Sequence, residues 1–266
     1  MLGEATRVEI AVHNLDGAAR AWETLLGVTG ARSAGRVRFA TIGLRSIDLV
    51  ETRSAEGGVG IELLAGAGPA PQTYRLNGVR VSVVRESEAS SAAGGAFAPR
   101  PYVIDVGVRD LDAAAAAWAA LLGREGTRMH PDMDISGELA GCHFATGGVY
   151  SIGLMALRHP ARRMPPPRED ADKIGAWLLQ RQLETRGEGI SCIGFQVATG
   201  VAATLRDLSE QGVRFLHDEP QRYLVGENAY VDPASTNECV VIYATHDAEA
   251  YVRWQASLPD HRRERR

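Results

Sequence analysis

Residues Ile10 to Gly27 read I-A-V-H-N-L-D-G-A-A-R-A-W-E-T-L-L-G, and Val106 to Gly123 read V-G-V-R-D-L-D-A-A-A-A-A-W-A-A-L-L-G. The chain repeats itself, and the repeat decides its architecture. Each copy opens on a short alternating run (Val8, Ile10, Val12; Ile104, Val106, Val108), the pattern of a half-buried strand. Asn14 or Asp110 is then placed to cap a helix, with Asp16 or Asp112 in the first turn at the positive end of the helix dipole. Ala18, Trp22, Leu25 and Leu26 fall on one helical face, as do Ala114, Trp118, Leu121 and Leu122 in the twin. Gly27 and Gly123 stand where a helix ends in the left-handed conformation.

The likeness continues. Val37 to Leu49 (V-R-F-A-T-I-G-L-R-S-I-D-L) matches Cys142 to Leu154 (C-H-F-A-T-G-G-V-Y-S-I-G-L), so later strands follow each helix. The second copy is longer between helix and strands, and the extra residues around Met129–Ile135 are polar and loop-like. A third, more diverged unit has a strand at Gly189–Val197, a helix from Ala202 to Gln211 closed by Gly212, and strands at Val213–Leu216, Asn228–Val231 and Cys239–Ala244. Gly60–Leu64 and Gly78–Val84 read as strands of a fourth unit without its helix. Glu86–Pro101 reads as a linker. A proline cluster and a helix from about Asp170 to Glu184 join the second unit to the third. This divides the chain into residues 1–95, one βαβββ module with degenerate partner strands; 100–247, a pair of such modules; and 248–266, a surface helix and basic tail.

Composition narrows the function. Hydrophobic residues make up 45% and charged residues 23%, with a net charge of -4. That balance argues against a nucleic-acid partner, which needs excess positive charge. No apolar run approaches the ~20 residues of a membrane span, and Met1–Arg7 lacks a signal-peptide core. No membrane partner and a cytoplasmic location are therefore the default expectations. The three cysteines, Cys142, Cys192 and Cys239, are widely spaced and suggest neither disulfides nor a zinc site. Lys173 is the sole lysine and lies in the joining helix, which argues against Schiff-base chemistry.

The strand, the N-L-D or D-L-D cap, the aromatic at mid-helix and the L-L-G stop resemble the opening of vicinal oxygen chelate (glyoxalase-like) modules. The resemblance covers about residues 101–246, with a weaker match at 5–52. Leu183–Ile190 and Asp232–Thr236 are similar to methylmalonyl-CoA epimerases in particular. The resemblance implies an α+β fold of repeated βαβββ modules, forming cup-shaped mixed sheets with helices outside. It also implies a divalent metal in the cup that stabilises an enolate while a carboxylate moves a proton. Carried over, the four ligand positions are Val103, Gly153, Cys192 and Ile242, and three of these have no donor atom. No cofactor is therefore expected on them; a divalent metal on relocated ligands such as Asp105, His143 and Glu138 stays open.

Strand alternation turns Val103, Asp105 and Gly107 toward the cup, and Arg7 and Glu9 in the first copy. Asp105, as a desolvated carboxylate, is the candidate base for proton transfer next to a carbonyl. His143 is its candidate acid–base partner. Glu138 falls within one residue of a catalytic glutamate position implied by the resemblance. Glu9, Asp48, Cys192, Arg222 and Tyr230 are candidate substrate contacts; Tyr223 and Glu227 share the loop region of the last two. His130, Asp132 and Asp134 read as a solvated loop. The expected function is a small-molecule isomerase, epimerase, cyclase or lyase. The alternatives are a small-molecule binding or drug-sequestering protein and a metal enzyme with relocated ligands. Modules that do not visibly pair leave room for a homodimer that completes the cup.

Overall fold

The computed structural model describes residues 3–54, 56–65, 71–85, 100–147, 149–224 and 226–246. Most of the linker read at 86–101, and the helix and tail read from 248, lie outside them.

The first repeat supplies β1 (Ala5–Val12), α1 (Leu15–Leu26), β2 (Ala31–Ser33), β3 (Arg36–Ala40) and β4 (Ser46–Glu51). Then come β5 (Gly57–Leu64), β6 (Gln72–Leu76) and β7 (Val79–Val84), with no helix among the described residues. These strands form one mixed seven-stranded sheet in the order β2-β3-β4-β1-β5-β7-β6. β1 runs parallel to β4 and antiparallel to β5.

The second sheet begins with β8 (Arg100–Gly107), α2 (Leu111–Leu122), β9 (Thr127–Arg128), β10 (Leu139–Ala145) and β11 (Ser151–Leu157). It continues through α3 (Ile174–Thr185), β12 (Gly189–Gln196), α4 (Val201–Glu210), β13 (Gln221–Tyr223), β14 (Gly226–Tyr230) and β15 (Val240–His246). The strand order is β13-β14-β15-β12-β8-β11-β10-β9. The strand expected at Val213–Leu216 is reduced to a single bridge between Phe215 and Val231, and the ladder is extended instead by β13.

The repeat's local signals are realised in both copies. Asn14 Oδ1 accepts from the Gly17 amide, and Asp110 accepts from the amides of Asp112 and Ala113. Gly27 and Gly123 end their helices at φ 63° and 66°, where a side chain would be strained. Trp22 and Trp118 are fully buried in one apolar core with Ile10, Ile47, Val106, Phe144 and Ile193. Truncating either tryptophan is expected to cost roughly 3–5 kcal/mol.

Each helix also braces the other sheet. Trp118 Nε1 donates to Asn77 Oδ1 at 3.1 Å in the β6–β7 turn, so α2 reaches the strands that lack a helix of their own. Tyr243 Oη on β15 donates to the Leu25 carbonyl of α1 at 2.5 Å. At the same junction Gly78 has φ 75°, and a Cβ there would collide with the Glu188 carbonyl.

Not every helix lies outside. Ile104 and Val106 of β8, and Val108 just after it, join the core with α2, which leaves Val103, Asp105 and Gly107 on the inner face. A Cβ on Gly107 would meet Leu179 Cδ1 of α3. Ile174 and Leu178 of α3 pack on Cys192 and Val240. The joining helix, begun by a 3-10 turn at Ala171–Lys173, therefore covers the inner face of the second sheet.

Candidate functional site

The inner face of the eight-stranded sheet borders a cavity of about 480 Å³. Its floor is β8, β10 and β11. One wall is the inserted loop, through Met129, Met133, Asp134, Ile135 and Ser136. The start of α3 and the β13–β14 hairpin, through Tyr223, Asn228 and Tyr230, close the other side. The inserted loop, read from composition as solvated, is thus a wall. It is held in shape by Asp134, whose carboxylate accepts from Ser136 N, Ser136 Oγ and Leu139 N.

Asp105 lies on the floor. The residue is partly buried and lines the cavity. Oδ1 is buried and has no hydrogen-bond partner. Burial with no compensating cation pushes the carboxyl up to about 7. Such a group is poised to take or give a proton near neutrality.

Three adjacent strands set its neighbours. In register, His143 of β10 faces Gly153 of β11, and Gly153 faces Asp105 of β8. A Cβ on Gly153 would collide with Oδ1 of Asp105 and lie 3.1 Å from Nδ1 of His143. Glycine therefore leaves the space that the acid and the imidazole share. Cys142 and Phe144 turn into the core, so His143 turns to the cavity. Ser151 Oγ is 3.4 Å from His143 Nδ1 and also lines the cavity.

The other predicted residues are distributed. Tyr230 lines the cavity, and burial raises its phenol well above the ordinary value. Cys192 is paired with Asp105 across the ladder but lies beneath α3, and burial, then Asp105 and Cys239, push its thiol well up. Glu138 lies outside the cavity lining: its buried carboxylate meets Arg162 at 2.5 Å and His159 at 3.2 Å. Arg222 is exposed beside Glu227 at 3.3 Å and is also outside the lining.

Glu9 and Asp48 belong to the other sheet. There the row Arg38–Asp48–Glu9–Gly60–Arg80 runs across β3, β4, β1, β5 and β7. The corresponding row in the second sheet is His143–Gly153–Asp105–Cys192–Val240. Glu9 is ion-paired with Arg80 and with Arg36 at 3.0 Å. Asp48 accepts from Arg36 at 2.5 Å and Arg38 at 2.9 Å. Arg7 meets Glu62 at 2.6 Å beside them. One sheet's inner face carries a compensated ionic network, and the other's carries an uncompensated acid above a cavity.

Several lining residues lay beyond the sequence reading. Parity on β11, applied outward from Gly153, points to Ser151 and Met155. Tyr102 escapes parity because the β8–β12 register shifts between Gly194 and Phe195, so that both Tyr102 and Val103 reach the cavity. Met129, Met133 and Asn228 had no local signal.

The residues at the implied metal positions do not fit a metal. Val103, Gly153 and Ile242 have no ligating side-chain atom, and Cys192 is a buried thiol held in its neutral form. Among the described residues no group of three or more His, Cys, Asp or Glu is arranged to hold an ion.

No protein-family model and no curated protein matches this sequence. Solved structures do match. A variant of 4-hydroxymandelate synthase from Streptomyces coelicolor superposes with a TM-score of 0.66 at 13% identity, over 96% of this chain and 100% of that one. Methylmalonyl-CoA epimerase from Mycobacterium tuberculosis covers 57% of this chain and 91% of its own, at 19% identity and a TM-score of 0.44. An epimerase variant from Streptomyces coelicolor covers 56% of this chain and 95% of its own, at 24% identity and a TM-score of 0.41. The whole-chain match to the synthase shows that this chain shares that protein's fold.

Proposed function

We infer that the cavity of the second sheet binds a small organic carbonyl compound and that Asp105 moves a proton on the carbon beside the carbonyl. The observation that carries this reading is the cavity-lining carboxyl of Asp105, whose buried Oδ1 has no hydrogen-bond partner and which is pushed up to about 7. Its ionised form takes the α-proton. The C–H electron pair becomes the enolate, with charge on the carbonyl oxygen. His143, with Ser151 beside it, is the neighbouring group placed to hold that oxygen. Return of the proton to the same carbon gives epimerisation; its return elsewhere gives isomerisation.

The test uses 2-tetralone, a neutral ketone with acidic α-protons, in deuterated buffer. Wild-type protein should exchange the α-protons faster than buffer alone, followed by proton NMR. Asp105→Asn should reduce that rate by about 10²-fold or more. Equal rates in the two proteins remove Asp105 from the chemistry. The apolar lining favours a second reading, a binding protein that releases its ligand unchanged. Tight binding of an aromatic ligand with no exchange above buffer selects it.

A further inference from the structure

The lining narrows what the cavity can hold. Three of the chain's five methionines, Met129, Met133 and Met155, face it, and so do Tyr102, Tyr223 and Tyr230. Methionine sulfur and aromatic faces are polarisable surfaces that favour flat π-systems. The sheet order separates them usefully. Met129 and Met133 follow β9 at one edge, while Tyr223 and Tyr230 sit on β13 and β14 at the other. A volume of about 480 Å³ lies within the ligand-pocket range of about 300–1,000 Å³.

The charges point the same way. Among the described residues, three carboxyls line the cavity (Asp105, Asp134 and Asp172) against one guanidinium, that of Arg128. Arg128 Nη2 is turned to Asp112 at 2.5 Å. An anionic ligand would lose its hydration without gaining a counter-ion.

We propose that the ligand is an uncharged, planar aromatic molecule carrying a hydroxyl or keto group, stacked between the methionine wall and the tyrosine wall with its polar end at Asp105 and His143. This rests on the reading of the cavity as the functional site.

The test compares 2-naphthol with 2-naphthoate, which share a ring and differ in charge, by titration calorimetry. Wild type and Asp105→Asn should both bind 2-naphthol, and 2-naphthoate should bind at least tenfold more weakly to each. Met133→Ser, in a loop outside both sheets, should weaken 2-naphthol by about two- to tenfold. Failure of 2-naphthol to bind, equal affinity for 2-naphthoate, or an unaffected Met133→Ser each overturns the proposal. If 2-naphthol binds as expected while 2-tetralone exchange is indifferent to Asp105→Asn, the ligand class stands and the proton transfer falls. If exchange needs Asp105 while 2-naphthoate binds equally well, the reverse holds.

Discussion

Oδ1 of Asp105 packs against the Cα of Gly153 on the adjacent parallel strand, in space that any side chain at position 153 would occupy. The backbone there is ordinary strand, so the need for glycine comes from the neighbour and not from φ. Gly153→Ala is expected to displace the Asp105 carboxyl and the His143 ring. Proton exchange should fall by about tenfold or more, and thermal unfolding should shift down by the equivalent of about 1–3 kcal/mol. Unchanged exchange and unchanged melting would show that Asp105 has room to move.

Asp105 also sets a pH dependence. Its carboxyl sits at about 7 in the folded protein and near the ordinary ~3.9 in the unfolded chain. Between those values the folded state holds a proton that the unfolded state releases. Stability should therefore fall as pH rises from ~4 to ~7, by up to about 1.4 kcal/mol per pH unit, and level off above. Asp105→Asn should lose this limb and be the more stable protein at pH 8, as read by denaturant midpoints. Turnover by wild type should instead rise through about pH 7, because the base is the ionised form.

Asp48 behaves in the opposite sense. Burial raises its carboxyl, but the hydrogen bonds from Arg38 and Arg36 outweigh burial and hold it below the usual range. Its contribution is present above ~3.9 and is lost as pH falls through the lowered folded value. Asp48→Ala leaves two half-exposed guanidiniums without this partner and should cost roughly 2–4 kcal/mol in chemical denaturation. Binding of 2-naphthol in the other sheet should be unchanged; a loss there would mean that the network shapes the cavity.

Glu138 offers a contrast with Asp105. Its carboxylate is buried between Arg162 and His159, whose side chains are largely exposed. Glu138→Gln should lower stability by about 1–3 kcal/mol and leave 2-tetralone exchange within about twofold of wild type. A drop in exchange comparable to that of Asp105→Asn would move Glu138 into the chemistry.

The fold was legible because its signals are local. The capped helices, the tryptophans facing the core and the inward turn of residues 103 and 105 follow from periods of 3.6 and 2 that a single strand or helix displays unaided. The inward acids Glu9 and Asp105 were legible as a pair, with Asp105 read as the base and Glu9 as a substrate contact, but the sequence did not show what compensates each. That difference rests on Arg36 and Arg80, which reach Glu9 from strands 27 and 71 positions away. Histidine at 143 was visible, but its direction needed the register of β10 against β11. The cavity itself arises where α3, the inserted loop and the β13–β14 hairpin converge on one sheet face. Sequence alone determined the repeated strand–helix units, their caps and the inward turn of residues 9 and 105, because those depend on near neighbours along the chain. Tertiary structure alone decided which inward acid keeps a partner and which opens on empty space, because counter-charges and walls arrive from segments that only folding brings together.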